Sequence, residues 1–271
     1  GAAIVGDAFA RPLANALEAT PGRWDLSELR LLVSAGVMWS SQVKETMMRH
    51  LPGTLMVDML GSTEAHGLGS AVASPGSTGT ARFRLGPHAL VVTPEGKRIE
   101  PGSGEVGLLA VRGLTPIGYF KDPEKSAATF IEVEGERCSV PGDWASVEDD
   151  GTITLLGRGS VCINTAGEKV FPEEVEEALK LHPQVADATV VGIPDERFGE
   201  VIAAAVELTT GGSGPSETDL IAHVKEHLAG YKSPRHVLVV EAVGRGPNGK
   251  ADYAGVRTRI IEHLATENAG T

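Results

Sequence analysis

Thiols are scarce in this sequence, which has two cysteines, Cys138 and Cys162. They stand at no metal-ligand spacing and build no disulfide scaffold, so a reducing, cytoplasmic setting is expected. Cys162 lies in an apolar stretch and reads as a buried strand thiol. Positive charge is also in deficit, with 24 Lys and Arg against 36 Asp and Glu and a net charge of −12. That balance excludes a nucleic-acid or membrane-surface binder working through general positive charge. It leaves an anionic small-molecule ligand open, because a few local cations and a metal reverse the field around a site. No run of about 18 apolar residues is present, so no membrane span is expected, and no signal peptide is visible. The chain begins Gly1-Ala2-Ala3 without an initiator methionine, which reads as a processed, tagged or truncated product.

What is there is ordinary globular material: 271 residues, 41% hydrophobic, enough for one or two domains with real cores. From 6 to 73 helix and strand patterns alternate. Phe9, Leu13 and Leu17 recur at helical spacing, 29–34 reads as a strand, and Ser40 or Ser41 can cap a helix carrying Val43, Met47 and Leu51. Residues 54–60 read as the next strand, so this is a piece of parallel α/β sheet. From 74 to 154 short β-type runs (89–93, 107–111, 151–155) are divided by Gly and Pro, giving antiparallel β structure for which a small barrel is one form. From Arg158 onward the pattern is α+β. Pro172 opens a helix, 185–193 and 201–208 are strands, 211–215 is a loop, and Ser216 caps a helix that Gly230 can end. Residues 236–240 are a strand and 254–264 a helix. The expected fold is α/β plus an antiparallel β subdomain, followed by a small α+β C-terminal domain. The boundaries are 1–157 (1–73 α/β, 74–157 β-rich) and 158–271, separated where glycines flank Arg158 and Ser160.

Five motifs carry possible chemistry. Leu60-Gly61-Ser62-Thr63-Glu64 follows a strand; Glu64 can hold Mg²⁺ and Thr63 can bond a phosphate oxygen. Pro141-Gly142-Asp143-Trp144 offers a carboxylate that can accept both hydroxyls of a ribose, or simply a turn. Gly157-Arg158-Gly159-Ser160 places a cation beside glycines, a solvated loop charge or a nucleotide contact. Residues 164–176, from Asn164 to Glu176, run from a small-residue loop into a helix with acidic residues in its first turn. Gly246-Pro247-Asn248-Gly249-Lys250 is a turn followed by a lysine.

In this order and at these separations the five resemble the adenylate-forming superfamily of acyl-CoA synthetases, luciferases and peptide-synthetase adenylation domains. Further stretches agree: Ser34-Ala35-Gly36-Val37, Gly104 to Gly113, and Gly118-Tyr119-Phe120-Lys121-Asp122-Pro123-Glu124. Ala166-Gly167-Glu168-Lys169-Val170-Phe171-Pro172 is closest in wording to fatty and aryl acyl-CoA synthetases, and actinobacterial fatty-acid or steroid-side-chain enzymes are the expected relatives. The resemblance implies ATP, Mg²⁺ and coenzyme A as cofactors and a carboxylic acid as substrate, with no nucleic acid; oligomeric state is not legible. It implies that Glu64 binds Mg²⁺, Thr63 contacts phosphate, and Ala35, Gly36, Asp58, Met59, Leu60, Gly61 and Ser62 line the nucleotide. Asp143 and Arg158 would hold the ribose. Lys250 would stabilise charge between carboxylate and α-phosphate. Thr165, Ala166, Gly167 and Glu168 would line the pantetheine tunnel after the small domain turns about Ser160.

Three positions depart from the family. Leu60 replaces an aromatic residue, Ser160 an Asp or Lys, and Pro141 a Thr. The phosphate loop ending Pro-Lys-Gly, expected upstream of everything here, is absent, and Ser74 to Thr80 is assigned as a Gly-Ser turn rather than its substitute. The expectation is a fragment of an acyl-CoA synthetase, inactive alone. Two alternatives stand: a truncated non-catalytic module binding acyl-AMP, CoA or a carrier protein, and an acyl-AMP ligase that never uses CoA. No Ser/His/Asp or Cys/His arrangement is visible. His66, beside Glu64, is the one histidine placed to face an acyl pocket.

Overall fold

The computed structural model describes every residue except Pro75, 77–80, 210–213, Pro247 and 270–271. The turn expected at 74–80 and the loop expected at 211–215 lie mostly outside the described residues. The chain divides into two compact units, Gly1–Leu156 and Gly157–Thr271, each described by itself below. Among the described residues no helix is long and apolar enough to cross a membrane.

Unit 1 begins with three parallel strands, β1 (Ala2–Ile4), β2 (Leu31–Ala35) and β3 (Leu55–Leu60), connected by α1 (Gly6–Ala19) and α2 (Ser41–His50). Their core is Ile4, Ala10, Ala14, Leu32, Trp39, Val43, Met47 and Met56. The expected Phe9/Leu13/Leu17 stripe is not the buried face of α1. Gly6, Ala10 and Ala14 are buried, whereas Phe9 and Leu13 are 48% and 46% exposed. Close approach is the reason: a Cβ on Gly6 would meet the Met38 and Val37 carbonyls at 2.5 Å, so small residues face inward. Leu17 does pack against the core.

β4 (Gly69–Val72) adds to β3 antiparallel, and the chain continues through β5 (Arg82–Leu85), β6 (Ala89–Val92), β7 (Val106–Arg112), α3 (Pro123–Thr129), β8 (Phe130–Val133), β9 (Glu136–Ser139), β10 (Asp143–Val147) and β11 (Thr152–Arg158). These are no separate barrel. The strand path β1-β2-β3-β4-β5-β11-β10-β7-β9-β8, with β6 on β7, makes one open eleven-stranded sheet continuous with the parallel strands. The antiparallel strands send residues to two cores, Leu109, Val111, Ala145, Val147 and Ile153 to one and Leu90, Val92, Ala110 and Cys138 to another.

Unit 2 follows β11 with a one-turn helix at Gly159–Val161, then β12 (Ile163–Thr165), β13 (Glu168–Val170), α4 (Pro172–Lys180), β14 (Val185–Asp195), β15 (Gly199–Leu208), α5 (Glu217–His227), β16 (His236–Val240) and α6 (Tyr253–Ala269). The run Val201 to Val206 is apolar at every position because helices cover both faces of its strand. Ile202, Ala204 and Val206 join Val175, Leu179, Leu220 and Val224, while Val201, Ala203 and Ala205 join Val256 and Ile260. Ser216 caps α5 as its sequence predicts, accepting from Asp219 N–H while Asp219 accepts from Ser216 N–H. Gly230 does not end that helix. α5 stops at His227 with Leu228 extended, and Gly230 starts a short 3₁₀ turn instead. Cys162 is half-buried in the connection before β12 rather than buried in a strand; partial burial still pushes its thiol up.

Candidate active site

In an open α/β sheet the carboxyl ends of parallel strands are where ligands bind. β2 ends at Ala35, followed by Gly36 at φ +87°, and β3 ends at Leu60, followed by the turn that carries Thr63 and Glu64. Buried polar contacts shape the first edge: Gly6 N–H donates to Ser34 Oγ at 3.0 Å, and Asp7 Oδ1 accepts from Ser40 N–H at 2.8 Å. Ser40 therefore precedes α2 without bonding it through its own side chain. In the second loop Ser62 N–H donates to Ala65 O at 2.9 Å and Ser62 Oγ accepts from Ala65 N–H at 3.1 Å. That closes a tight turn with Thr63 and His66 exposed. A Cβ on Gly61 would stand 3.2 Å from the Ala65 carbonyl.

Two of the expected contact residues have partners of their own. The Asp58 carboxylate takes a 3.0 Å ion pair from Lys44 Nζ, both side chains buried. A buried pair of this kind fixes the register of α2 on β3 and is costly to break from one side. Leu60 packs into the core beside Ala65 and Leu68. Met59, by contrast, is 40% exposed.

Glu64 is held from a distant segment. Tyr119 Oη donates to Glu64 Oε1 at 2.6 Å across 55 residues. Tyr119 is itself fixed on several sides. Its N–H donates to Ser126 Oγ at 2.8 Å, Lys125 Nζ lies 4.1 Å above its ring, and Phe130 packs at a tilt with centroids 5.8 Å apart. Asp122 caps α3 by accepting from Lys125 N–H, and the Arg137 guanidinium donates to Thr115 Oγ1 and to the Pro116 and Ile117 carbonyls. The loop before α3 is thus braced so that one phenol reaches one carboxylate. Asp143 opens β10 of the same sheet, behind Gly142 at φ +98°.

The remaining expected residues lie in unit 2. Arg158 and Ser160 are exposed, at the end of β11 and in the turn after it. Arg158 N–H donates to Glu173 Oε1 at 3.4 Å. Thr165 and Glu168 flank a two-residue hairpin turn whose residues both have positive φ, Ala166 at +53° and Gly167 at +88°, the backbone a type I′ turn requires. Ala166 N–H is tied to the Phe198 carbonyl at 3.0 Å.

Lys250 sits exposed on a loop closed by an Arg245–Ala251 bridge, with its own N–H donating to Asn248 Oδ1 at 3.2 Å. Beneath it is an anchor that local sequence did not reveal. Arg245 binds both oxygens of Asp187, at 2.5 and 2.7 Å, and donates to the Gly249 carbonyl at 3.2 Å. Burial alone would raise the Asp187 pKa, but the Arg245 bonds overcome it and hold the carboxyl below its ordinary range. Alongside, Glu176 is buried and accepts from Val190 N–H at 3.0 Å. Burial first, and repulsion from Glu173 second, push its carboxyl up to about 8. Burial also drives the neighbouring Tyr253 hydroxyl upward.

The contacts of Tyr119, Arg245, Asp187, Glu176 and Lys44 are ones that sequence reasoning missed. Tyr119 stood inside a stretch already seen as family-like. The others had no local signal, because their partners lie 14 to 58 residues away.

Residues 174–250 match the family model of the AMP-binding enzyme C-terminal domain. Over 97% of its length the chain is 44% identical to a medium/long-chain-fatty-acid–CoA/3-oxocholest-4-en-26-oate–CoA ligase of Mycolicibacterium smegmatis, of which it covers 49%. It is 46% identical over 92% of its length to a 3-oxocholest-4-en-26-oate–CoA ligase of Rhodococcus rhodochrous, of which it covers 46%. Among solved structures it resembles the amide bond synthetase McbA of Marinactinospora thermotolerans, with a TM-score of 0.81 at 28% identity, covering 95% of this chain and 51% of that one. The anthranilate CoA ligase AuaEII in complex with anthranoyl-AMP follows at 0.77 and 28%, covering 95% and 49%. In fold and sequence the chain is similar to adenylate-forming enzymes. Within that class its sequence relatives are acyl-CoA ligases, and the chain spans about half the length of those relatives.

Proposed function

We propose that this chain serves an ATP-dependent acid–thiol ligase that converts a fatty or steroid-side-chain carboxylic acid to an acyl-adenylate and then to its CoA thioester. The observation that carries this is identity of 44–46% along nearly the whole chain to ligases of that name. In the first step a carboxylate oxygen attacks the α-phosphorus, and the bond to the bridging oxygen breaks as pyrophosphate leaves. In the second the CoA thiol adds to the acyl carbonyl, loses its proton, and AMP departs.

On this reading Ala35, Gly36 and Asp58 to Ser62 bound the adenine side, Thr63 contacts phosphate, and Asp143 with Arg158 takes the ribose hydroxyls. Glu64 is the protein's ligand to Mg²⁺. A single part-exposed carboxylate held by Tyr119 fits a cation that binds through one or two carboxylates plus substrate phosphates. Bound there, Mg²⁺ would neutralise charge on the phosphates. Lys250 stabilises charge on the carboxylate and α-phosphate as the adenylate forms. For the second step unit 2 turns about Ser160, so that Lys250 withdraws and the Thr165–Glu168 turn borders the pantetheine arm.

The test is a full-length enzyme carrying Lys250→Ala, assayed by half-reaction. Adenylation, read as pyrophosphate release, should fall at least about 100-fold, while thioester formation from supplied acyl-AMP persists. Equal loss of both sinks the role given to Lys250. Pyrophosphate release by the 271-residue chain alone would refute the expectation that it needs a phosphate loop from elsewhere. The likeness to an amide bond synthetase favours a second reading, an acyl-adenylate captured by an amine. Product analysis with CoA and with amines present separates the two.

A further inference from the structure

α5 ends in a cluster that the ligase reading does not use. His223, Glu226 and His227 each offer one ligand atom, and the three atoms lie within 4.8 Å of one another. The two imidazoles are one helical turn apart on the same face, with centroids 4.5 Å apart.

Hydrogen bonds assign their protons. His223 Nε2 is 3.1 Å from the Ala178 carbonyl of α4, and His227 Nδ1 is 2.9 Å from the His223 carbonyl. A carbonyl oxygen only accepts, so each of those nitrogens carries N–H. The lone pairs are then on His223 Nδ1 and His227 Nε2. One ring nitrogen donating to a carbonyl while the other stays unprotonated is how metal-ligating histidines are oriented. His182 packs edge-on to His223 at 5.1 Å but spends its Nδ1 lone pair on Gln184 N–H, so it stands outside the ligand set.

We propose that His223, Glu226 and His227 bind one borderline transition-metal ion, of the Zn²⁺ class, at the C-terminal turn of α5. Two imidazoles and a carboxylate suit such an ion and not Mg²⁺ or Ca²⁺, which take oxygen ligands. The last turn of a helix, where backbone carbonyls point outward, adds a favourable field for a cation. Ligands about 2.0–2.2 Å from zinc sit closer together than the present spread, and rotation of the exposed Glu226 and His227 side chains closes the gap. The remaining coordination positions face solvent and take water. With His223 bonded to α4, the ion would bridge α5 to that contact and stabilise the folded form, because it binds that form preferentially.

The experiment is isothermal titration of Zn²⁺ into the EDTA-treated, re-dialysed chain, with excess Mg²⁺ present to saturate oxygen sites. Co²⁺ absorption serves as the spectroscopic readout. One site per chain is expected, together with a Co²⁺ spectrum of nitrogen–oxygen coordination and a rise in melting temperature with Zn²⁺. His227→Ala, which leaves the His223–Ala178 bond in place, and Glu226→Gln should each weaken binding about tenfold or more. His88→Ala, in unit 1, should not. Absence of Zn²⁺ binding overturns the proposal. So does affinity unchanged in a circular-dichroism-verified His223→Ala/His227→Ala variant. Because the readout is metal binding, its failure leaves the ligase reading untouched, and failure of the ligase assays leaves this site standing.

Discussion

The Tyr119 hydroxyl is a small group with a defined task. Its 2.6 Å bond to Glu64 is a charge-assisted hydrogen bond, of the stronger kind. Tyr119→Phe keeps the ring against Lys125 and Phe130 while deleting that donor. Stability should change by only about 1 kcal/mol. In the full-length enzyme kcat/KM for MgATP should fall roughly 10-fold, with KM for the acid little moved, because a loosened carboxylate is a poorer Mg²⁺ ligand. Steady-state kinetics at varied Mg²⁺ decide it, and unchanged kcat/KM would remove Tyr119 from the site. Lys44 and Asp58 show the opposite economy at the same scale. Two buried charges satisfy each other, so in the proposed site Asp58 would border the nucleotide through backbone position, its carboxylate being spent on Lys44.

At the scale of elements, the Lys250 loop is held by β14. Arg245 ties the loop to Asp187 of β14 by two bonds. Arg245→Ala leaves Asp187 part-buried without its cation and releases the loop. Adenylation should then drop by about 10- to 100-fold as Lys250 loses its placement, while thioester formation from supplied acyl-AMP is spared. Loss in both half-reactions would mean that the pair merely supports the unit.

Glu176 of α4 gives the same region a pH dependence. Its folded pKa of about 8 lies above the ordinary 4.5, so the folded form binds more protons throughout that interval. The stability this group contributes is complete below about 4.5 and is lost as pH rises through about 8. Glu176→Gln keeps an acceptor for Val190 N–H and cannot ionise. Its urea midpoint should change less than the parent's between about pH 5 and about pH 8. A parallel shift in both proteins would show that another group carries the dependence.

For the molecule as a whole, the proposed chemistry needs two placements of unit 2. Ser160, exposed in a one-turn helix near the start of unit 2, is the position given the rotation. Ser160→Pro locks φ near −65°, a value that turn accommodates. In the full-length enzyme it should reduce overall turnover several-fold more than it reduces adenylation measured alone. Equal effects on the two would move the hinge elsewhere.

The alternation of helix and strand periods, the Ser216 cap and the Pro172 helix start were legible in the sequence, because local sterics and hydrogen bonding decide them. So was the resemblance to adenylate-forming enzymes, because its motifs lie on loops whose residue types chemistry constrains. Only the tertiary structure decided the rest. It merged parallel and antiparallel strands into one sheet, turned Ala10 and Ala14 inward and Phe9 outward, and brought Tyr119 to Glu64 and Arg245 to Asp187. Each of these depends on which surfaces meet across tens of residues of intervening chain, and periodicity along one segment carries no record of the partner it will pack against.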